Sequence, residues 1–99
     1  MIGEMDHPES IESFTVPEAA EALGRSEATI RRWLADDKIP APILEDVQRH
    51  YKVYSVGEMR IIGQFLREHE REFTYLTTDH NNLVETLHQA VHGYRAQHI

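Results

Sequence analysis

Residues 16–35, VPEAAEALGRSEATIRRWLA, constrain this chain more than any other stretch. Thr15-Val16-Pro17-Glu18 is a capping box, with Thr at the N-cap, Glu three residues on and Pro tolerated in the first turn. It predicts a short helix over Pro17–Leu23, stopped by Gly24, which suits the left-handed residue after a helix. Ser26 caps a second helix from Glu27 to about Ala35, whose inner stripe is Ile30, Trp33 and Leu34. So short a connection forces two angled helices into contact. Ala20 is small where they cross, and Ile30 and Trp33 fill the angle; Trp33 reads as core rather than as a stacking platform.

The chain must then leave helical conformation, because the prolines of Ile39-Pro40-Ala41-Pro42 drive the residues before them into extended backbone. Ile43–Tyr54 reads as a short hairpin with a polar turn within Glu45–His50 and no Asn-Gly or Asp-Gly to fix its tip. Tyr51 and Tyr54 are expected to pack that hairpin. Ser55-Val56-Gly57-Glu58 is a second capping box, opening a helix through Met59, Ile62, Phe65 and Leu66. Beyond it Met59, Ile62, Leu66, His69, Phe73, Leu76, His80, Leu83, Leu87, Ala90 and Tyr94 follow one another at alternating spacings of three and four, a coiled-coil seam. Poor helix formers cluster over Thr77–Asn82, so the seam is either one long arm or two helices joined near Thr78. The expectation adopted is an extended arm that pairs with a second copy through Phe73, Leu76, Leu83, Leu87 and Tyr94. Residues 1–13, acidic and polar, read as a flexible tail.

The helix pair has the offsets of a helix-turn-helix, which leaves Arg25, Ser26, Thr29, Arg31 and Arg32 near the start or on the outer side of its second helix. That end of a recognition helix reaches the major groove, where Arg reads guanine and a hydroxyl pairs with base or phosphate. The helix N-terminus adds free amides for a phosphate. The run TVPEAAEALGRSEATIRRWLADDKIPAP…RHYKVYSVGEMRII resembles the winged helix-turn-helix of MerR-like regulators and of phage excisionases. The shared pattern is the helix pair with its Arg-Arg-Trp, the Lys38–Pro42 link, a wing ending at His50-Tyr51 and a Tyr-Ser-x-x-Glu helix start, over about residues 14–66. The resemblance implies a wing that lies along the DNA backbone or in the minor groove, bringing in Arg49, His50 and Lys52, with Lys38 counted among the DNA-binding cations. Glu45 and Asp46 depart from that picture and leave only the second half of the wing fit for phosphates.

The expected fold is therefore mainly α with a small β-hairpin wing: a winged helix-turn-helix over 14–66 and a helical arm over 67–99. The resemblance implies an excisionase, which bends attachment-site DNA and recruits integrase. The alternatives are a MerR-like transcriptional regulator and a DNA-packaging (small terminase) subunit. The expected partners are double-stranded DNA and further copies of the chain, as a homodimer or a cooperative oligomer on DNA, with an integrase on the excisionase reading and no membrane.

The formal net charge of −7 opposes this reading, since phosphate neutralisation supplies much of the affinity for nucleic acid. Its placement softens the objection. Glu4, Asp6, Glu9 and Glu12 lie in the tail, whereas Arg25, Arg31, Arg32, Lys38, Arg49 and Lys52 roughly balance Glu27, Asp36, Asp37, Glu45 and Asp46. Each copy should bind weakly, so cooperative assembly must supply the rest.

With 99 residues there is room for one small core. No cysteine is present and no apolar run approaches the roughly 20 residues of a membrane span, so a cytoplasmic protein is expected, in a bacterial host if phage-encoded. His88 and His92, four apart on a helix, have metal-chelating spacing without a third ligand beside them and read as surface histidines. His69 and His80, on the seam, read as a polar layer. No cysteine, Gly-rich phosphate loop, recognisable triad, metal motif or paired-carboxylate signature is present, so neither enzyme activity nor a cofactor is expected.

Overall fold

The computed structural model describes residues 13–48, 50–74 and 81–98. The elements are β1 (Ser13–Phe14), α1 (Val16–Leu23), α2 (Glu27–Ala35), β2 (Leu44–Asp46), β3 (Tyr51–Ser55), α3 (Val56–Glu68), α4 (Glu70–Thr74) and α5 (Asn81–His98). Mainly helical, with one small antiparallel sheet, the chain has the architecture of a winged helix-turn-helix.

Local chemistry sets the helix ends. The Thr15 amide donates to Glu18 Oε1 at 2.9 Å while the Glu18 amide donates to Thr15 Oγ1, closing the first capping box. Gly24 stops α1 at φ +71°, a conformation that costs a residue with a Cβ but not glycine. Ser26 caps α2 by accepting from the Thr29 amide at 3.1 Å. In the second box Ser55 and Glu58 exchange the same pair of bonds at the start of α3.

The sheet has the order β1-β3-β2, with Phe14 opposite Tyr54 and Glu45 opposite Lys52. The hairpin β2–β3 is the wing; β1 adds a two-residue strand on its other side and ties the start of α1 to the sheet. Asp46 shapes the wing's turn: its carboxylate accepts from the Gln48 amide at 3.0 Å and its carbonyl from the His50 amide at 2.6 Å. His50 closes the turn in the left-handed region at φ +62°, the job an Asn-Gly pair does in a tighter hairpin.

One core joins all of this. Ala19 and Ala20 of α1, Ile30 and Trp33 of α2, Ile39 of the link, Tyr54 of β3 and Met59, Ile62, Phe65 and Leu66 of α3 are buried together. The same cluster takes in Leu87 and Val91 of α5, both fully buried, with Leu83 and Val84 packed beside them.

The C-terminal helix thus joins the core of its own chain. The seam is not one helix: α3 stops at Glu68, His69 leaves helical geometry at φ −125°, and α5 packs against α3 of the same chain. Leu87 is spent in the chain's own core, and Leu83 lies against it. Tyr94 covers Gly57, where a Cβ would overlap the phenol ring. The three-and-four spacing thus marks an intramolecular packing face, a pattern that sequence cannot distinguish from a seam between chains. The Phe73 side chain, Leu76, His80 and the suggested junction at Thr78 lie outside the described residues.

Candidate nucleic-acid interface

α2 presents its outward face with Ile30 and Trp33 turned inward. At its N-terminus Ser26 caps the helix and donates to Thr29 Oγ1 at 2.9 Å, so these two hydroxyls hold each other at the mouth of the helix. One turn on, Arg31 Nε donates to Glu27 Oε2 at 2.7 Å. Both side chains stay about half exposed, so the contact is worth only a few tenths of a kcal/mol. With Nε engaged, the guanidinium still has its two terminal amino groups as donors. Arg32 is exposed and has no ion-pair partner among the described residues.

Arg25 behaves differently from its neighbours. Its guanidinium lies 5.5 Å from the centroid of the Trp33 ring and 3.7 Å from Glu70 of α4, with the side chain only 20 % exposed. It is drawn onto the protein's own surface and braces the start of α2 against α4. Lys38 follows Asp37, a left-handed residue at φ +60°, and its amide donates to Trp33 O at 2.8 Å as the chain leaves the helix.

The wing brings a second cation to the same side. Lys52, exposed on β3 opposite Glu45, lines a groove of about 390 Å³ together with Tyr51, Pro42, Arg31 and the Thr15–Pro17 start of α1. Arg31 and Lys52 are therefore brought together across one groove, between the helix pair and the wing. His50 is exposed at the turn of the wing. Arg49 lies outside the described residues. The large exposed apolar side chains of the described residues, Ile43, Val47 and Tyr51, all lie in or beside this hairpin.

Behind the face is a support that sequence reasoning did not find. Glu58, wholly buried, accepts from the Ser55 amide and pairs with the Arg95 guanidinium of α5. Its place in the capping box was legible in sequence; its partner, 37 residues away, was not. Tyr54, buried as expected, donates its hydroxyl to Pro40 O at 2.5 Å. Burial holds that phenol's pKa well above its usual value, with Arg95 acting against the rise and Glu58 adding to it, so the hydroxyl stays a donor. His88 is turned to the Asp37 carbonyl at 2.9 Å, whereas His92 is exposed. Among the described residues no group of His, Asp and Glu is arranged to hold a metal ion, and no helix is long and apolar enough to cross a membrane.

Residues 13–56, from β1 to the first residue of α3, match the model of a family described as a helix-turn-helix domain. No curated protein and no solved structure matches the chain.

Proposed function

We propose, from the premise that residues 13–56 are a helix-turn-helix domain, that this protein binds duplex DNA sequence-specifically and does so as an excisionase-like architectural factor. The observation that carries the binding mode is the groove that Arg31 of α2 and Lys52 of the wing both line. α2 enters a major groove and sets Arg31 and Arg32 against base edges, with Ser26 and Thr29 beside the phosphates at its N-terminus. Lys52, with Arg49 and His50 at the wing, holds the backbone. The activity is recognition rather than chemistry.

The family includes excisionase-like members, which supports the finer role. So does the course of α5, which folds back on α3 where a MerR-like regulator or a packaging subunit would need an extended helical segment for assembly. An excisionase binds adjacent short repeats, bends attachment-site DNA and thereby directs integrase towards excision. With a net charge of −7 each copy holds DNA weakly, and neighbouring copies cooperate.

The test is a gel-shift titration on circularly permuted probes of attachment-site DNA from the source genome, with promoter DNA as comparison. Ladder-forming complexes whose mobility depends on site position are the expected outcome. A single unbent complex, formed on promoter DNA alone, would sink the architectural role and favour a regulator.

A further inference from the structure

The link from α2 to the wing carries carbonyls that its own backbone does not satisfy. Pro40 and Pro42 lack amide hydrogens, so this stretch cannot extend the sheet into a ladder. Three of its carbonyls are instead taken by side chains from elsewhere in the chain. Asp37 O accepts from His88 Nε2 at 2.9 Å, Pro40 O from the Tyr54 hydroxyl at 2.5 Å and Ala41 O from Arg95 Nη2 at 2.7 Å.

Two of these donors belong to α5. His88 and Arg95 are seven residues apart, two helical turns, and so share one face with Leu87 and Val91, which are fully buried. One helix therefore grips the link at both ends: at Asp37, just past the recognition helix, and at Ala41, just before the wing. Arg95 is fixed in turn by its ion pair with the buried Glu58 at the start of α3. Its fork supplies Nε to the carboxylate and Nη2 to the carbonyl at once, a division that a single ammonium head cannot copy.

We propose that α5 is a strap that fixes the wing relative to the recognition helix, with Arg95 and His88 as positioning residues for DNA binding. The proposal rests on the DNA-binding reading above. Neither side chain touches DNA; both act through the link, and freeing it lets the wing drift from the groove it shares with Arg31.

The experiment uses the full chain as wild type, Arg95→Lys and His88→Ala, each with and without Lys52→Ala or Arg32→Ala. Arg95→Lys keeps a cation beside Glu58 and gives up the Ala41 carbonyl. Without DNA, amide hydrogen exchange across residues 38–46 should rise about tenfold in Arg95→Lys, with α3 still protected. On a duplex that the wild type selects from a random 20-base-pair pool, Lys52→Ala should weaken wild-type binding by about fivefold and flatten its salt dependence. In Arg95→Lys the further effect of Lys52→Ala should vanish, while Arg32→Ala should still weaken binding in full. Additive effects of Arg95→Lys and Lys52→Ala would overturn the strap, as would unchanged exchange across the link. Should Arg95→Lys fail to fold, His88→Ala, which leaves the buried ion pair intact, carries the same cycle, and additivity there would overturn the strap equally. A wild type that selects no duplex would count against DNA binding itself, and the strap's role in it would fall too, whatever the exchange shows.

Discussion

Arg32 and Trp33 are neighbours in the chain with opposite tasks, and the difference between them can be measured. Trp33 is 3 % exposed and packed in the angle between α1 and α2. Trp33→Ala should cost about 3–5 kcal/mol of stability, seen in chemical denaturation, and DNA binding should fall with the fold. It would also leave the Arg25 guanidinium without its aromatic shelf. Tyr54 gives the pH-dependent case. Its folded-state pKa is raised, so the stabilisation is fully present below the ordinary phenol value of about 10 and drains away as pH climbs above it towards the folded value. Stability measured from pH 8 to 11 should fall at the alkaline end, and Tyr54→Phe should flatten part of that fall while lowering stability at neutral pH through the lost bond to Pro40. An unaltered alkaline slope in Tyr54→Phe would contradict the assignment. At this scale the sequence was informative where a role depended on near neighbours: Ile30, Trp33, the caps and the exposed Arg31 and Arg32. The contact of Arg25 with Glu70 was not legible, because the two are 45 positions apart.

At the scale of elements, the two capping boxes, Gly24 and the proline link announced both ends of α1 and α2 and the start of α3 within a residue or so, because cap chemistry is local; the end of α3 at Glu68 carries no such signal. β1 went unread, since two residues carry no alternation to detect. The packing of α5 was harder to read. Alternating spacings of three and four describe any helix face that packs on another, and they do not say whether the partner lies in the same chain. Folding decided it: Leu87 and Val91 complete the core over α3, and Arg95 neutralises Glu58. Removing residues 75–99 should therefore cost more than a tail would. Burial of Leu87 and Val91 is worth about 1.5–3 kcal/mol each, and a buried charge stripped of its partner costs about 3–5 kcal/mol. The truncated chain, in which α3 loses the helix packed against it, should show no cooperative melt by circular dichroism. A sharp transition near the wild-type temperature would show that the C-terminal helix is dispensable to the core.

At the scale of the whole molecule the puzzle is a chain of net charge −7 whose proposed role is to bind DNA. Several of the candidate cations have an acidic residue within reach: Arg31 has Glu27, Arg25 has Glu70 and Lys52 sits opposite Glu45. Arg32 has no such partner among the described residues, which makes it the cation through which affinity should be most easily lost. Acidic side chains so near the face should also make binding steeply dependent on correct fit, because a poorly seated duplex meets like charge without gaining base contacts. The most direct test is a fluorescence-anisotropy titration of a wild-type-selected duplex at low and moderate salt, comparing wild type with Arg32→Ala. Binding should be saturable and salt-sensitive, and Arg32→Ala should weaken it about tenfold or more with the melting temperature unchanged. Arg32→Ala binding as tightly as wild type would contradict the placement of the recognition surface on α2, and with it the central claim.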